Sequence, residues 1–208
     1  RVINQYASFN GLLWKKGADE SWLQNSFQTD KNEIIMRYAE VLLIYAEAKI
    51  EMNDIDQSVL DAINKVRARA YGVSVSDTDK YPAVTVTDPA KLRSIIRFER
   101  RMEFANEGLY YMDIIRWRIA EKSLNTPVFG MLDPADLMTK VVDRGLWFFP
   151  GTPDVDENAI SDFSAMYQAG LIKLLVQRKF DSSRQYLWPI PTKEILINEN
   201  LKPQNPGY

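Results

Sequence analysis

The sequence contains neither cysteine nor histidine. Without cysteine it forms no disulfide, performs no thiol catalysis and builds no cysteine metal site, and the redox state of its compartment is left open. Without histidine it lacks the most frequent general base, the Ser-His-Asp arrangement and the usual ligand of zinc and iron. Both absences favour binding over covalent catalysis.

Two further absences narrow the function. No GxxxxGK[ST] or GxGxxG pattern occurs, so a nucleotide has no recognisable cradle, and we predict no cofactor. No apolar run reaches the roughly 18 residues that a membrane-spanning helix needs. The net charge is −2 at neutral pH over 208 residues, which argues against nucleic acid as a main partner because phosphate binding needs a basic stripe.

Helical periodicity is strong in the first half of the chain. It predicts one helix over 33–52 and a second over 55–71, which ends at Gly72, a residue that readily adopts the left-handed conformation. Because only a few residues connect them, the two helices should be antiparallel neighbours, as in tetratricopeptide-type repeats. The apolar row predicted for the first helix is Ile34, Tyr38, Val41, Tyr45, Ala48 and Met52.

A second helical hairpin is predicted over 88–122. Asp88 is a good N-cap and Pro89 suits the first helical position. The first helix should stop near Asn106–Gly108, and another helix should follow over 109–122. The hairpin is dense in arginine and glutamate interspersed with aromatics, which indicates a half-buried structural network that fixes the angle between the two helices. The charged residues concerned are Arg97, Glu99, Arg100, Arg101, Glu103, Glu107, Asp113, Arg116 and Arg118.

The remainder of the chain is rich in turns. The segment 72–87 is predicted as a loop, and from Ser123 onward proline and glycine interrupt the chain every few residues. Asp133 should cap a short helix that runs to about 142, and the alternation over 172–180 predicts a strand. Thr192 should cap a helix over 193–197. The fold class is therefore mainly α, with helical hairpins over 33–122 and a loop-rich part with minor β over 123–208, in a single domain over 1–208.

Aromatic residues are numerous, with five Trp, ten Tyr and nine Phe. A sugar ring stacks its apolar face on such side chains, while amides and charged groups bind its hydroxyls. Several aromatics lie outside the helical rows, where they either pack on the core or form a binding surface. The candidates for ligand binding are Trp14, Trp22, Tyr81, Trp147 and Phe148. By contrast, Trp188 lies in a stiff apolar segment that we expect in the core.

One pattern has the spacing of a calcium loop: Asp154, Asp156, Asn158 and Asp162. The turn glycine and the bidentate glutamate of such a loop are replaced by Ala159 and Ala165. A solvated acidic loop is therefore the preferred interpretation, and no metal is predicted. Glycoside hydrolysis needs two carboxylates in defined geometry, and nothing in the sequence selects a pair among its 28 acidic residues.

Three separated stretches carry a family resemblance: RYAEVLLIYAEAK at 37–49, ERRMEFANEG with DIIRW at 99–117, and YLWPIPTKEI to the final NPGY at 186–208. Together they resemble the signature of the SusD/RagB family. The resemblance covers the C-terminal portion of a longer family member, whose N-terminal part would be missing here. It implies that the motif residues are architectural: Glu99, Arg100, Arg101, Glu103, Glu107, Arg116, Trp117, Trp188 and Pro189.

The resemblance implies a non-enzymatic function. SusD-like proteins are lipid-anchored at the outer membrane, face the exterior, bind oligosaccharides and deliver them to a TonB-dependent, SusC-like transporter. This chain would lack the anchoring cysteine. The binding loops vary within the family, so no binding residue is transferred from the motifs. Peptide binding of the RagB type and a protein–protein docking module are the alternatives, and an enzyme comes third.

Overall fold

The computed structural model describes residues 8–32, 34–146 and 151–208, which form two compact units. The three-helix unit comprises Leu13–Gly108 and Val155–Ser161. The mixed unit comprises the described residues of Leu109–Asp154, Asp162–Tyr208 and the segment up to Leu12. The architecture is mainly helical with two small sheets, which confirms the predicted fold class. Among the described residues, no helix is long and apolar enough to cross a membrane.

Helices α1 (Tyr38–Glu51) and α2 (Gln57–Tyr71) form the first predicted hairpin. The carboxylate of Asp56 caps α2 by accepting the backbone N–H of Ser58 at 2.9 Å. Gly72 ends α2 in the left-handed conformation with φ of +68°. Three contacts show that the helices are antiparallel, because later residues of α1 contact earlier residues of α2. The contacts pair Tyr38 with Lys65, Tyr45 with Ser58, and Lys49 with Asp56.

The core of the three-helix unit uses a different face of α1 from the one predicted. Buried residues of α1 join buried residues of α2 and of α3 (Pro89–Glu103); the largest are Leu43, Ile50, Val59, Ile63, Leu92 and Ile96. The described residues of the predicted row are exposed instead, so this prediction is wrong. Because α1 is apolar on both sides, its periodicity does not say which side is buried. We call the exposed side the outer face of α1: Tyr38, Val41, Ile44, Tyr45, Ala48 and Met52.

Helix α3 begins as predicted, with Asp88 accepting the N–H of Lys91 at 2.8 Å and Pro89 at the first position. The segment before it contains neither helix nor strand, which confirms the predicted loop. That loop is fastened to α2 by the buried side chain of Asn64. Its amide donates to the carbonyl of Val84 at 3.0 Å, and its oxygen accepts the N–H of Val84 at 2.7 Å. One side chain thus satisfies both backbone groups of a buried loop residue.

The Arg–Glu network is half-buried, as expected, but the following ion pairs join other elements than those expected. The glutamate side chains of α3 bind arginines of α2 and the one that precedes α1: Arg67 with Glu99, and Arg37 and Arg69 with Glu103. These pairs tie α3 to α1 and α2. The chain leaves this unit after Gly108, so the predicted role of fixing the angle to the next helix is not the one these pairs perform.

In the mixed unit, α4 (Leu109–Arg116) and α5 (Ala120–Leu124) replace the single helix predicted over 109–122. The break occurs at Arg118, whose φ is +57°. The N–H of Arg118 donates to Ile115 and that of Ile119 to Ile114, at 3.1 and 3.0 Å. These two bonds form a Schellman motif, which usually has glycine at the left-handed position. Arginine there gave no sequence signal for the end of the helix.

The strands of the described residues are short. β1 (Val128–Gly130) and β4 (Lys173–Val176) pair antiparallel, and β4 confirms the first half of the strand predicted over 172–180. β2 (Asp154–Val155) and β3 (Ser161–Asp162) form the second small sheet. The short helices are α6 (Pro134–Leu137), continued by a π-helical turn (Met138–Val142), α7 (Ser164–Gln168), and α8 (Thr192–Ile197) with a 3₁₀ turn after it (Glu199–Leu201).

Of the two predicted caps, the position of Asp133 is confirmed and that of Thr192 is wrong. Asp133 lies at the N-cap position of α6, but its side chain makes no cap hydrogen bond and its carboxylate instead binds the ammonium of Lys173 at 2.5 Å. Helix α8 starts with Pro191 at the N-cap position, so Thr192 lies inside the helix. Both helices lie where the sequence predicts them. The turn residues between the elements were therefore enough to predict the helix positions.

The apolar core of the mixed unit contains Ile114, Ala120 and Phe180, with Tyr186 packed against it. The expectation for Trp188 is wrong, because 68% of this residue is exposed. Its ring lies 6.5 Å from that of Tyr111, and its carbonyl accepts the amide of Asn205 at 2.6 Å. The stiff segment is therefore held through its backbone and through Tyr186, while Trp188 faces outward.

Candidate functional site

A groove of about 980 Å³ lies in the three-helix unit, between the turn-rich segment before α1 and the residues that follow α3. Its volume is at the upper end of the roughly 300–1,000 Å³ of sites for small ligands, so it has room for more than one sugar ring. The lining residues are Lys16, Gly17, Ala18, Asp19, Trp22, Thr29, Lys31, Asn32, Ile34, Asn106, Glu107 and Gly108.

The carboxylate of Asp19 organises the turn-rich wall. One oxygen accepts the backbone N–H of Ser21 at 3.0 Å and its hydroxyl at 2.8 Å, and the other accepts the hydroxyl of Thr29 at 2.7 Å. Hydrogen bonds from Thr29 and Ser21 lower the pKa of Asp19 below its ordinary value. The carboxylate is thus ionised at neutral pH, and it links two points of the segment that are ten residues apart.

Two lysines complete the wall. The ammonium of Lys16 donates to the carbonyl of Glu103 at 2.7 Å and forms an ion pair with Glu107, which attaches the segment to the end of α3. The ammonium of Lys31 donates to the carbonyl of Ala18. These bonds give a segment without helix or strand a defined shape.

Beneath the groove, Arg37 holds the end of α3. Its Nε and Nη2 atoms each lie 2.8 Å from an oxygen of Glu107, in a bidentate pair, and its Nη2 donates to the carbonyl of Glu103 at 2.7 Å. Burial alone would raise the pKa of Glu107, but the hydrogen bonds from Arg37 and Lys16 outweigh it and the pKa is lowered. The glutamate at the groove floor is therefore ionised and fully engaged.

Trp22 supplies the aromatic surface of the groove. It is 50% exposed. Its ring meets that of Phe27 edge-on, with centroids 5.8 Å apart and planes at 85°. The N–H of Phe27 donates to the carbonyl of Trp22 at 2.9 Å, so the backbone also fixes the two residues relative to each other. A half-exposed indole braced in this way presents a flat apolar face to a ligand.

Two carboxamides line the same groove as Trp22. Asn32 ends the turn-rich segment, and Asn106 follows α3 in the left-handed conformation with φ of +65°. Within residues 8–32, 34–146 and 151–208, neither amide side chain has a hydrogen-bond partner. A carboxamide offers two donors and an acceptor, the combination that matches sugar hydroxyls. An aromatic face rimmed by uncommitted amides is suited to binding an uncleaved sugar.

The structure separates the five predicted ligand-binding residues. Trp22 lines the groove, whereas Trp14, although 66% exposed, does not. Tyr81 is only 5% exposed and its hydroxyl donates to the carbonyl of Val75 at 2.8 Å, so it anchors a loop and its inclusion is corrected. Trp147 and Phe148 lie outside the described residues. The sequence did not indicate four other groove residues: Asp19, Thr29, Asn32 and Asn106. Asn106 had a local signal, but that signal marked the end of a helix and not a binding site.

Three of the four residues with calcium-loop spacing make hydrogen bonds within the protein. In the three-helix unit, Asp156 accepts the N–H groups of Asn158 and Ile160 at 2.9 and 2.8 Å. The side chain of Asn158 is buried against Arg97. In the mixed unit, Asp162 accepts the N–H of Ser164 at 2.8 Å and Asp154 is exposed. The described residues contain no cluster of three or more acidic side chains that could hold a metal ion.

The three-helix unit thus consists of the α1–α2 hairpin with α3 packed on it, and the groove is open next to the end of α3. The model of the SusD family matches residues 3–208. The chain therefore belongs to the SusD family, which confirms the predicted membership.

Relatives support the same assignment. The chain is 28% identical to SusD-like protein P2 of Formosa agariphila, over 99% of this chain and 30% of that protein. It is 38% identical to a SusD-like carbohydrate binding protein of Bacteroides fragilis of known crystal structure, with a TM-score of 0.57 over 81% of this chain and 28% of that one. A second SusD-like protein of B. fragilis is 30% identical with a TM-score of 0.56, over 85% and 26%. The chain thus spans less than a third of these relatives' length.

Proposed function

We propose that this chain contributes to a non-enzymatic oligosaccharide binder at the outer-membrane surface, which delivers nutrient to a TonB-dependent, SusC-like transporter. The groove around Trp22 is the binding surface in this proposal. The observation that carries it is the braced, half-exposed indole beside two uncommitted amides. The similarity to a protein described as carbohydrate binding, at 38% identity, gives further support.

The two carboxylates of the groove favour binding over hydrolysis. A glycosidase needs one carboxyl group with a raised pKa to act as general acid. The pKa of Asp19 and that of Glu107 are both lowered by their hydrogen bonds. Burial raises the pKa of Glu99, but this residue is paired with Arg67 and does not line the groove. The groove carboxylates are therefore structural groups in this proposal.

Titration calorimetry of the chain against plant, host and microbial oligosaccharides tests the proposal. Trp22→Ala should weaken binding at least about tenfold, because an exposed aromatic face that a ligand covers contributes more than about 1.4 kcal/mol. Trp14→Ala is the matched control, since Trp14 is also exposed, at 66% against 50% for Trp22, but lies outside the groove. Equal losses in both variants, or peptide binding that depends on Trp22, would reject oligosaccharide binding at this groove.

A second candidate function is helix docking, and the outer face of α1 favours it. Six residues of this face are exposed, and five of them are large hydrophobic side chains. A helix that is apolar on two sides is normally covered on both, because each apolar side gains from burial. In this proposal the face receives an apolar helix from a longer polypeptide of the length of the relatives. The chain alone should then self-associate, and Val41→Glu with Ile44→Glu should make it monomeric. A monomer at all concentrations in sedimentation velocity would contradict this.

A further inference from the structure

The charges that line the groove balance. Two lysines, Lys16 and Lys31, face two carboxylates, Asp19 and Glu107. Next in sequence to the lining residues Lys16 and Asp19, Lys15 pairs with Glu20 at 3.5 Å. A surface that selects an anionic ligand carries an excess of cations to offset the ligand's desolvation. No such excess is found among the described lining residues.

The lysines of the groove already have protein partners. Lys16 is shared between the carboxylate of Glu107 and a backbone carbonyl. Lys31 donates to the carbonyl of Ala18 and lies in the field of Asp19. An anionic ligand that recruited either ammonium would compete with these bonds and would approach a carboxylate of its own sign. Binding a uronate or a sulfate here would therefore gain little.

The carboxylates are equally unavailable to a cationic ligand. Glu107 accepts a bidentate pair from Arg37 as well as Lys16. Asp19 receives three hydrogen bonds from Ser21 and Thr29. Both groups stay ionised well into mildly acidic solution because each pKa is lowered. Both carboxylates of the groove are thus ionised at neutral pH.

The groups that remain uncommitted are neutral. Asn32 and Asn106 each present donors and an acceptor, and Trp22 presents an apolar face. A hydroxyl group both donates and accepts, so it uses all of an amide's capacity, whereas a carboxylate or sulfate uses only the donors. We propose that the groove selects uncharged oligosaccharides, recognised by the Trp22 face and the two amides, over uronic or sulfated ones. This inference rests on the proposed function.

The test compares two ligand panels at low and high salt. Uncharged oligosaccharides from β-glucan, xylan and mannan, and charged ones from pectin and a sulfated galactan, are titrated into the chain. Salt at about 50 mM and about 500 mM changes the Debye length from roughly 14 to 4 Å, so charge-based binding weakens and neutral binding does not. We expect the Kd of uncharged ligands to agree within about twofold at the two salt concentrations. Their affinity should fall at least about tenfold with Trp22→Ala, and it should also fall with Asn32→Ala.

The outcomes separate this inference from the proposed function. Trp22-dependent binding of the charged panel, weakened about tenfold or more by salt, would overturn selection for uncharged sugars and leave oligosaccharide binding intact. Binding of neither panel in a Trp22-dependent way would overturn the proposed function and this inference with it. Trp14→Ala, tested in parallel, shows that a lost exposed tryptophan does not by itself account for the change.

Discussion

Replacing Arg37 with methionine removes the cation that joins α1 to the end of α3 and retains its apolar stem. The guanidinium binds Glu107 in a bidentate pair with both distances at 2.8 Å, and also binds the side chain and carbonyl of Glu103. It further lies 4.9 Å from the ring centroid of Phe104. The side chain of Arg37 is 21% exposed and that of Glu103 7%. The variant therefore leaves two carboxylates without their main partner, in a site with little water.

The size of the effect follows from this burial. Breaking a buried ion pair costs about 3–5 kcal/mol, and an exposed pair contributes about 0–1 kcal/mol. Lys16 and Arg69 remain next to the two glutamates and offset part of the loss. We expect Arg37→Met to lower the free energy of unfolding by about 2–3 kcal/mol, between those limits. In urea, with a slope of about 1–3 kcal/mol per molar, the midpoint should fall by about 1 M.

The effect should depend on pH with a definite sign. The pKa of Glu107 is lowered in the folded protein, against about 4.3 in an unfolded chain. A depressed carboxyl pKa stabilises the fold fully above the unfolded value, and this contribution is lost as the pH falls through the folded value. The difference between the native protein and Arg37→Met should therefore be largest near neutral pH and should shrink below about pH 4.

The matched control is Arg93→Met. Arg93 also forms a bidentate pair, with Glu51 at 2.7 and 2.9 Å, but its side chain is 37% exposed and that of Glu51 48%. We expect Arg93→Met to lower the free energy of unfolding by less than about 1 kcal/mol. Urea unfolding followed by far-ultraviolet circular dichroism, at neutral and acidic pH, measures both. Equal losses in the two variants, or a loss with Arg37→Met that persists unchanged in acid, would refute the assignment of stability to the buried pair.

Three further predictions use the same urea assay. Leu43→Ala should lower the free energy of unfolding by about 2–5 kcal/mol because the side chain is fully buried. Val41→Ala on the outer face of α1 should change it by less than about 0.5 kcal/mol, and a reversed order would contradict the assignment of the two faces. Asn64→Asp should cost about 2 kcal/mol, because the new carboxylate faces the carbonyl of Val84 where an amide donated, and a neutral result would contradict that contact. Gly72→Ala should cost about 1 kcal/mol through its left-handed φ, and an increase in stability would contradict it.

The sequence predicted helices best where a cap or a glycine marks the end. Asp88 and Gly72 act as the composition indicates. The helix predicted over 109–122 failed because Arg118 holds a left-handed conformation that arginine rarely adopts. Its two backbone hydrogen bonds supply the compensation. Such an end is set by backbone closure and tertiary contact, which a propensity argument does not include.

The groove was predictable only in part. Trp22 was singled out because it is an aromatic in a polar, turn-rich segment. Its fellow candidate Tyr81 had the same sequence context and is buried, since the hydroxyl finds the carbonyl of Val75. The groove also needs Asn106, which is more than 80 residues from Trp22 in the chain and comes from the end of a helix. Residues this far apart in the chain line one groove only because of the fold, and no local sequence pattern predicts it.

The outer face of α1 and the groove carry different kinds of information about function. Periodicity in α1 predicted one buried side, and the structure has two apolar sides of which Leu43 and Ile50 mark the buried one. Apolar residues on an exposed helix face cost solubility and do nothing for a sugar, so they indicate a surface to be covered by protein. The groove instead exposes one braced ring, Trp22, among polar groups, which suits a hydrated ligand that binds and leaves. In the two proposed functions the first surface serves assembly and the second recognition, so substitutions in one should leave the other's readout unchanged.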